Sequence, residues 1–96
     1  MIQDNDRFAP APRIAYRTIG GQVAIVKPED SQFVTLNETG SFVWNHLKDC
    51  PVGDLAELLS TEFEVSVETA LQDVKQYIQK LLDREMIQSS EQGRDL

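Results

Sequence analysis

The sequence QFVTLNETGSFVWNHL, residues 32–47, predicts a strand that runs directly into a helix. Residues 32–36 alternate in character, which is the period of a strand with two different faces. Asn37 stands where a helix N-cap is expected, and Glu38 places a carboxylate in the first turn, where it favours the helix dipole. One face of the predicted helix then carries Gly40, Val43, Trp44 and Leu47.

Upstream of this stretch, the sequence predicts two further strands. Residues 13–19 alternate in the same way, and Gly20-Gly21 is typical of a two-residue hairpin turn. Residues 22–27 form a second, more apolar strand, and Pro28 begins the turn that leads to the third strand. Three short strands joined by tight turns predict an antiparallel meander.

Downstream, the sequence predicts two more helices. Pro51 suits the first position of a helix whose apolar face continues to Phe63, and Ser66 is expected to cap a third helix that ends near Arg84. We expect Met86 and Ile87 to add a short extended piece. The main apolar stripe of the third helix is Val67, Leu71, Val74, Ile78 and Leu81, and a second, mixed stripe is Ala70, Asp73, Tyr77, Lys80 and Arg84.

The predicted fold class is therefore α+β, with a three-stranded antiparallel sheet followed by three helices in a winged helix-turn-helix-like arrangement. The 96 residues suffice for one small domain. We expect residues 13–88 to form that domain. Residues 1–12, which contain Pro10 and Pro12, are expected to be a flexible N-terminal arm, and residues 89–96 a frayed tail.

Charge and composition narrow the class of protein. The net charge is −7, and residues 1–48 carry five basic and five acidic groups while residues 49–96 carry four basic and eleven acidic groups. Clustered Lys and Arg, which attract nucleic acid and anionic membranes, are missing. The sequence shows no apolar run near the ~20 residues of a membrane span, and its first residues lack the basic-then-apolar pattern expected of a signal peptide. We expect a cytoplasmic protein that binds neither nucleic acid nor membrane.

The residues that could carry catalysis or bind a metal are few. His46 and Cys50 are the single histidine and the single cysteine, with Asp49 between them, and one His plus one Cys falls short of a zinc site. Gly20-Gly21 lacks the further glycines and lysine of a phosphate-binding loop. We therefore expect no catalytic residue, no metal and no cofactor.

Two binding functions remain. A helix-turn-helix suggests DNA binding, but the third helix is charge-neutral and the helix before it has only acidic charges, which does not suit phosphate contacts. Alternatively, the third strand is a free edge that an extended peptide can join, with the mixed stripe of the third helix as a second wall. Spacing alone fits equally well a Tyr77 that completes the core, with the charges of that stripe solvated.

An ordered set of motifs resembles the PqqD-like family. The run Leu36-Asn37-Glu38-Thr39-Gly40, followed by Val43-Trp44 and Leu47, resembles its strand-to-helix signature. The resemblance covers roughly residues 14–87. Members often have a Gly shortly before the last apolar pair, where this chain has Arg84-Glu85. Further matching motifs are Val52, Leu55-Ala56, Leu59 and Phe63-Glu64-Val65, and then Asp73-Val74, Tyr77-Ile78 and Leu81.

This resemblance implies a non-catalytic peptide chaperone. Such proteins bind the leader of a ribosomally made precursor peptide as an extra strand and present it to a modifying enzyme, either a radical SAM protein or a leader peptidase as in lasso-peptide pathways. The runner-up is an acidic winged-helix regulator that binds DNA or assembles proteins. The edge strand and the arm also admit a swapped homodimer.

Carried over position by position, the resemblance implies a set of leader contacts on two elements. Trp44 is expected in the core, because it shares a helix face with Leu47. The implied contacts are Phe33, Val34 and Thr35 on the strand, and Asp73, Tyr77, Lys80 and Leu81 on the third helix.

Overall fold

A computed structural model describes residues 2–90, and within them a three-stranded sheet is followed by three helices. The predicted α+β fold class is confirmed. Two very short strands outside the meander pair with each other as a separate ribbon. The elements are β1 (Phe8–Pro10), β2 (Ala15–Ile19), β3 (Gln22–Lys27), β4 (Gln32–Thr35), α1 (Glu38–His46), α2 (Val52–Phe63), α3 (Val67–Asp83) and β5 (Ile87–Ser89).

The junction between β4 and α1 forms as the sequence predicts. The Asn37 side chain accepts a hydrogen bond of 2.8 Å from the Gly40 N–H, which satisfies one of the free amides of the first helical turn. Just beyond β4, Leu36 N–H donates to the Val23 carbonyl at 2.8 Å. The Val23 N–H and the Leu36 carbonyl are joined through Ser41 and not directly. The buried Ser41 hydroxyl accepts from the Val23 N–H and donates to the Leu36 carbonyl.

The core lies between one face of the sheet, called the inner face, and the three helices. Val23 and Ile25 of β3 supply the inner face, and both are fully buried. Trp44 is also buried, as predicted, and its ring meets Tyr16 of β2 edge-on at 5.0 Å between centroids. The helices contribute Val43, Leu47, Val52, Leu55, Ala56, Leu59, Ala70, Val74, Ile78 and Leu81.

Helix α3 buries a different stripe from the predicted one. Ser66 caps it as expected, accepting from Thr69 N–H at 3.1 Å. Val67, assigned to the core stripe, is exposed, and Ala70, assigned to the mixed stripe, is fully buried. The buried stripe is Ala70, Val74, Ile78 and Leu81, on a helix that packs extensively against α2. The spacing of apolar residues alone does not contain this information.

The start of α2 also differs from the prediction. Pro51 is the N-cap, with an extended ψ of 164°, and the helix begins one residue later at Val52. The first amides of α2 are satisfied by the N-terminal segment: Val52 N–H donates to the Asp6 carbonyl, and Gly53 N–H donates to the Asp4 carbonyl at 2.7 Å. A cap made by distant backbone cannot be found from local sequence.

The N-terminal segment is not wholly a loose arm. Phe8–Pro10, expected in a flexible arm, pairs antiparallel with Ile87–Ser89, and Phe8 is buried. Proline excludes helix but is compatible with extended chain, so Pro10 does not oppose this strand. The extended piece expected at Met86 and Ile87 forms as β5, from Ile87 to Ser89. The tail predicted over 89–96 lies outside the described residues from position 91 onward.

The end of α3 explains one departure from the family pattern. Glu85 has φ of +58°, a left-handed conformation that glycine adopts at little cost. This is the place where the family often has Gly. Here the Glu85 carboxylate meets the Nζ of Lys27 at 3.1 Å, and the Lys27 side chain is almost fully buried. The ion pair stabilises a residue that the backbone geometry disfavours.

Candidate peptide-binding groove

The outer edge of β4 is open within the described residues. The sheet order is β2-β3-β4, so β4 has a strand on one side only. The Leu36–Val23 bond fixes the alternation of the ladder, because in an antiparallel pair every second residue bonds to the partner strand. Residues 34 and 36 therefore face β3, and the amide groups of Phe33 and Thr35 point to the open edge.

A cleft of about 210 Å³ lies beyond the end of β4, on the surface of α3. Tyr77 forms its centre. The Tyr77 hydroxyl donates to Asn37 Oδ1 at 2.7 Å, the same oxygen that caps α1. The chain leaving β4 is thus connected to α3 through one shared acceptor. The cleft is lined by Thr39, Asp73, Gln76, Tyr77 and Lys80.

Gly40 allows Tyr77 to approach α1. A Cβ at position 40 would lie 2.7 Å from Tyr77 Cε1, which is closer than carbon atoms tolerate, and 3.1 Å from its Cδ1, which is unusually tight. Gly40 is buried, although it lies in a helix where glycine is unfavourable by about 1 kcal/mol relative to alanine. We call the contact among Asn37, Gly40 and Tyr77 the α1–α3 clasp. It sets the distance between the exit of β4 and α3.

The cleft carries one charge of each sign. Lys80 Nζ lies 5.8 Å from the centroid of the Tyr77 ring, within cation–π range. Asp73 is half-buried on the same wall, one turn before Tyr77, and forms no ion pair with any residue in the described part of the chain. A half-buried carboxylate and an exposed ammonium can each accept an oppositely charged group of a ligand.

Of the seven predicted site residues, Asp73, Tyr77 and Lys80 line the cleft, and Phe33, Val34 and Thr35 lie on β4. Phe33 and Thr35 are exposed on β4, whereas Val34 turns inward and packs partly against the core. Leu81, which the resemblance also implied, is only 1% exposed and belongs to the core, so its side chain is not available to a peptide. Its position differs because it continues the buried row of Val74 and Ile78.

Four groove residues were not among the predicted contacts. Asn37 was recognised as a helix cap and Gly40 as part of a helix face, but neither was linked to α3. Thr39 and Gln76 line the cleft without any distinct sequence signal. A glycine on the buried face of a helix, where another helix approaches, is the signal that identifies the α1–α3 clasp.

His46 and Cys50 occupy the far end of α1, away from the groove. His46 Nδ1–H donates to the Phe42 carbonyl at 2.9 Å, and its ring stacks on Phe42. Burial raises the pKa of the Cys50 thiol, and the nearby carboxylates of Asp54 and Asp49 raise it further. The thiol is therefore protonated at neutral pH. Among residues 2–90, no group of three His, Cys, Asp or Glu side chains is placed to hold a metal ion.

Comparisons with known proteins agree with this geometry. The family model described as coenzyme PQQ synthesis protein D (PqqD) matches residues 22–87, more than half of the chain. A search of curated proteins found no match to the sequence of this chain. In residues 2–90, none of the helices has the length and apolar character needed to cross a membrane.

Two solved structures share the fold. TbiB1 in complex with the TbiA(beta) leader peptide superposes with a TM-score of 0.78 at 15% identity, covering 86% of this chain and 98% of that one. Lasso peptide synthetase B1 complexed with the leader peptide gives a TM-score of 0.79 at 22% identity, covering 85% and 98%. The likeness extends over nearly the whole of both proteins.

Proposed function

The chain belongs to the PqqD family, and from this premise we propose that it binds the leader segment of a ribosomally made precursor peptide and presents it to a modifying enzyme. The leader would pair with the open edge of β4 as a fourth strand. It would meet this protein in the cytoplasm, where ribosomal peptides are made. The protein would act by binding alone, without catalytic residues.

The observation that carries this proposal is the open edge of β4 beside the cleft of α3. The outward amides of Phe33 and Thr35 offer the donors and acceptors that an extended peptide needs. Both fold relatives are complexes with leader peptides, which favours the same use of the fold here. Main-chain pairing would supply affinity, while side-chain pockets would set the register.

The proposed contacts are the predicted ones without Leu81. Phe33 and Thr35 would pair through their backbone, and Val34 would contact the inward side chains of the leader. On α3, Tyr77 would pack against the leader, and Asp73 and Lys80 would take groups of opposite charge. The enzyme that receives the leader would be a radical SAM protein or a leader peptidase, and a homodimer through the edge strand is a further proposal.

DNA binding is not favoured as the alternative. Helix α2 carries Asp54, Glu57 and Glu62 without a basic residue, and the basic and acidic charges of residues 66–84 cancel. A DNA-binding protein gains affinity by neutralising phosphates with Lys and Arg. The cleft of α3 also contains Asp73, which has no ion-pair partner within residues 2–90.

The test is a titration with synthetic peptides that correspond to the N-terminal halves of short precursors encoded beside the gene. Backbone amide NMR shifts should be confined to residues 32–36 and 73–81, with micromolar or tighter affinity. A duplex DNA titration at two salt concentrations serves as the control. No shift with any of these peptides, together with salt-sensitive DNA binding, would reject leader recognition.

Thr35→Pro tests strand addition directly. It removes the outward N–H of Thr35, and proline is tolerated on an edge strand whose N–H faces away from the sheet. Losing one main-chain bond should weaken peptide binding by up to about tenfold. Thr35→Val, which keeps the N–H, is the matched control and should bind nearly as the parent does. Equal affinity of both variants would argue against pairing at this edge.

A further inference from the structure

The face of the sheet that points away from the helices, called the outer face, is largely apolar, with Arg17 among its residues, and no part of residues 2–90 covers it. Phe33 is 65% exposed, Ile19 62% and Val26 37%, and all three side chains lie on this face. They border a shallow depression of about 360 Å³ that spans the three strands. Isolated apolar residues on a surface are ordinary, but a contiguous apolar patch marks an interaction site.

Phe33 stands at the boundary between this face and the open edge. Its backbone amide points to the edge, as the ladder requires, and its side chain lies on the outer face next to that of Val26 on β3. A strand added antiparallel to β4 would place one residue directly opposite Phe33, joined to it by two main-chain bonds. That residue would put its own side chain on the outer face, within contact of the Phe33 ring.

We propose that the outer face of the sheet is a second recognition surface for the bound peptide, and that it selects a large apolar residue opposite Phe33. This inference rests on the proposed leader binding. Because the side-chain period of a strand is two, the residues on either side of that apolar residue turn toward the inner side, where the cleft of α3 carries Asp73 and Lys80. The preferred peptide thus has an aromatic or β-branched residue between polar neighbours.

The chemistry of the outer face favours this occupant over a polar one. Cross-strand pairs of an aromatic with a β-branched or aromatic residue are among the stabilising ones in sheets. Pairing would also cover the Phe33 ring, which otherwise contacts water over most of its surface. Continuity with the open edge distinguishes the peptide from other occupants, because the strand that pairs with β4 necessarily extends the outer face.

The test is a selection of random twelve-residue peptides, displayed on phage, against the full chain and against Phe33→Thr. Peptides selected by the parent should share one large apolar position with polar residues on both sides, and Phe33→Thr should lose that preference. For a selected peptide, fluorescence anisotropy should show binding weakened about two- to fivefold by Phe33→Thr.

Ile19→Thr is the matched control. Ile19 is equally exposed on the same face, but it lies on β2, three strand spacings of ~4.8 Å from an added strand. It should bind the selected peptide as the parent does. If both variants bind as the parent does while Tyr77→Ala weakens binding, the outer face takes no part, and leader binding itself stands.

Two other outcomes would also overturn the inference. If both variants convert a dimer into a monomer without changing peptide affinity, the outer face belongs to a second copy of the chain. If no peptide is selected and no precursor-derived peptide binds, leader recognition and this inference fail together.

Discussion

The inner and outer faces of the three-stranded sheet come from alternate residues of the same strands, yet they have opposite fates. On β3, Ile25 is fully buried under the helices and its neighbour Val26 is partly exposed to solvent. The alternation continues to the end of β3, where the inner-face position holds Lys27, which is buried and paired with Glu85. The difference teaches that the inner face is required for folding, whereas apolar groups on the outer face are available for binding.

Ile25→Ala should give the largest effect on stability. Removing a fully buried branched side chain typically costs about 2–5 kcal/mol of the free energy of unfolding. Urea denaturation followed by Trp44 fluorescence measures it. Val26→Ala, one residue along on the outer face, is the matched control and should cost less than about 1 kcal/mol. Similar losses of unfolding free energy for both variants would mean that the two faces do not differ in their importance for folding.

Gly40→Ala tests the α1–α3 clasp, which holds the start of α1 against Tyr77 in the cleft of α3. The new Cβ would overlap the Tyr77 ring, so the ring must move, at a cost of about 1–3 kcal/mol. A thermal denaturation series would show it. In a Tyr77→Ala background the same substitution should cost much less, because the overlapping ring is gone. Additive losses of stability in the double variant would mean that residue 40 and the Tyr77 ring do not limit each other's packing.

Tyr77→Phe should have a smaller effect. It removes only the hydroxyl that donates to Asn37, and Asn37 keeps its bond from Gly40, so we expect a loss of about 0.5–1 kcal/mol. Tyr16→Phe is the control, because the Tyr16 hydroxyl has no hydrogen-bond partner within residues 2–90. A melting temperature for Tyr77→Phe no lower than that of Tyr16→Phe would mean that the Tyr77 hydroxyl does not stabilise the clasp.

Phe33→Thr should have the smallest effect on stability, within about 0.5 kcal/mol, because the ring is mostly exposed and threonine suits a strand. The same variant is expected to weaken peptide binding several-fold. Unfolding curves recorded with and without a selected peptide would separate the two quantities. A large loss of stability in the free protein would place Phe33 among the folding residues instead.

Most of the fold could be predicted from the sequence because local signals agree there. The cap at Asn37, the Gly20-Gly21 turn and the two-residue period of β4 all act over a few residues. What could not be predicted depends on distant partners. The strand at Phe8–Pro10 exists because β5 lies beside it, and Ala70 is buried because α3 packs into the common core with its other buried residues.

The candidate groove divides in the same way. The exposed positions of β4 followed from alternation, and the stripe containing Asp73, Tyr77 and Lys80 followed from helical spacing. The family resemblance implied that Leu81 contacts the leader, but Leu81 lies on the same helix face as Val74 and Ile78 and is buried in the core. The connection from Tyr77 to Asn37 spans forty residues and required the tertiary structure to be known.

The β1–β5 ribbon has a consequence for protein engineering. Phe8 lies directly opposite Ser89, so the chain joins and leaves this ribbon at adjacent points. Residues 2–7 run on from there to the start of α2, so a linker that joins the ends for circular permutation must leave this segment in place. New ends could be opened at the exposed Gly20-Gly21 turn, where an added Cβ would meet no neighbouring atom within 4 Å. The order of the chain connections could thus be changed while β4 and α3 keep their relative positions.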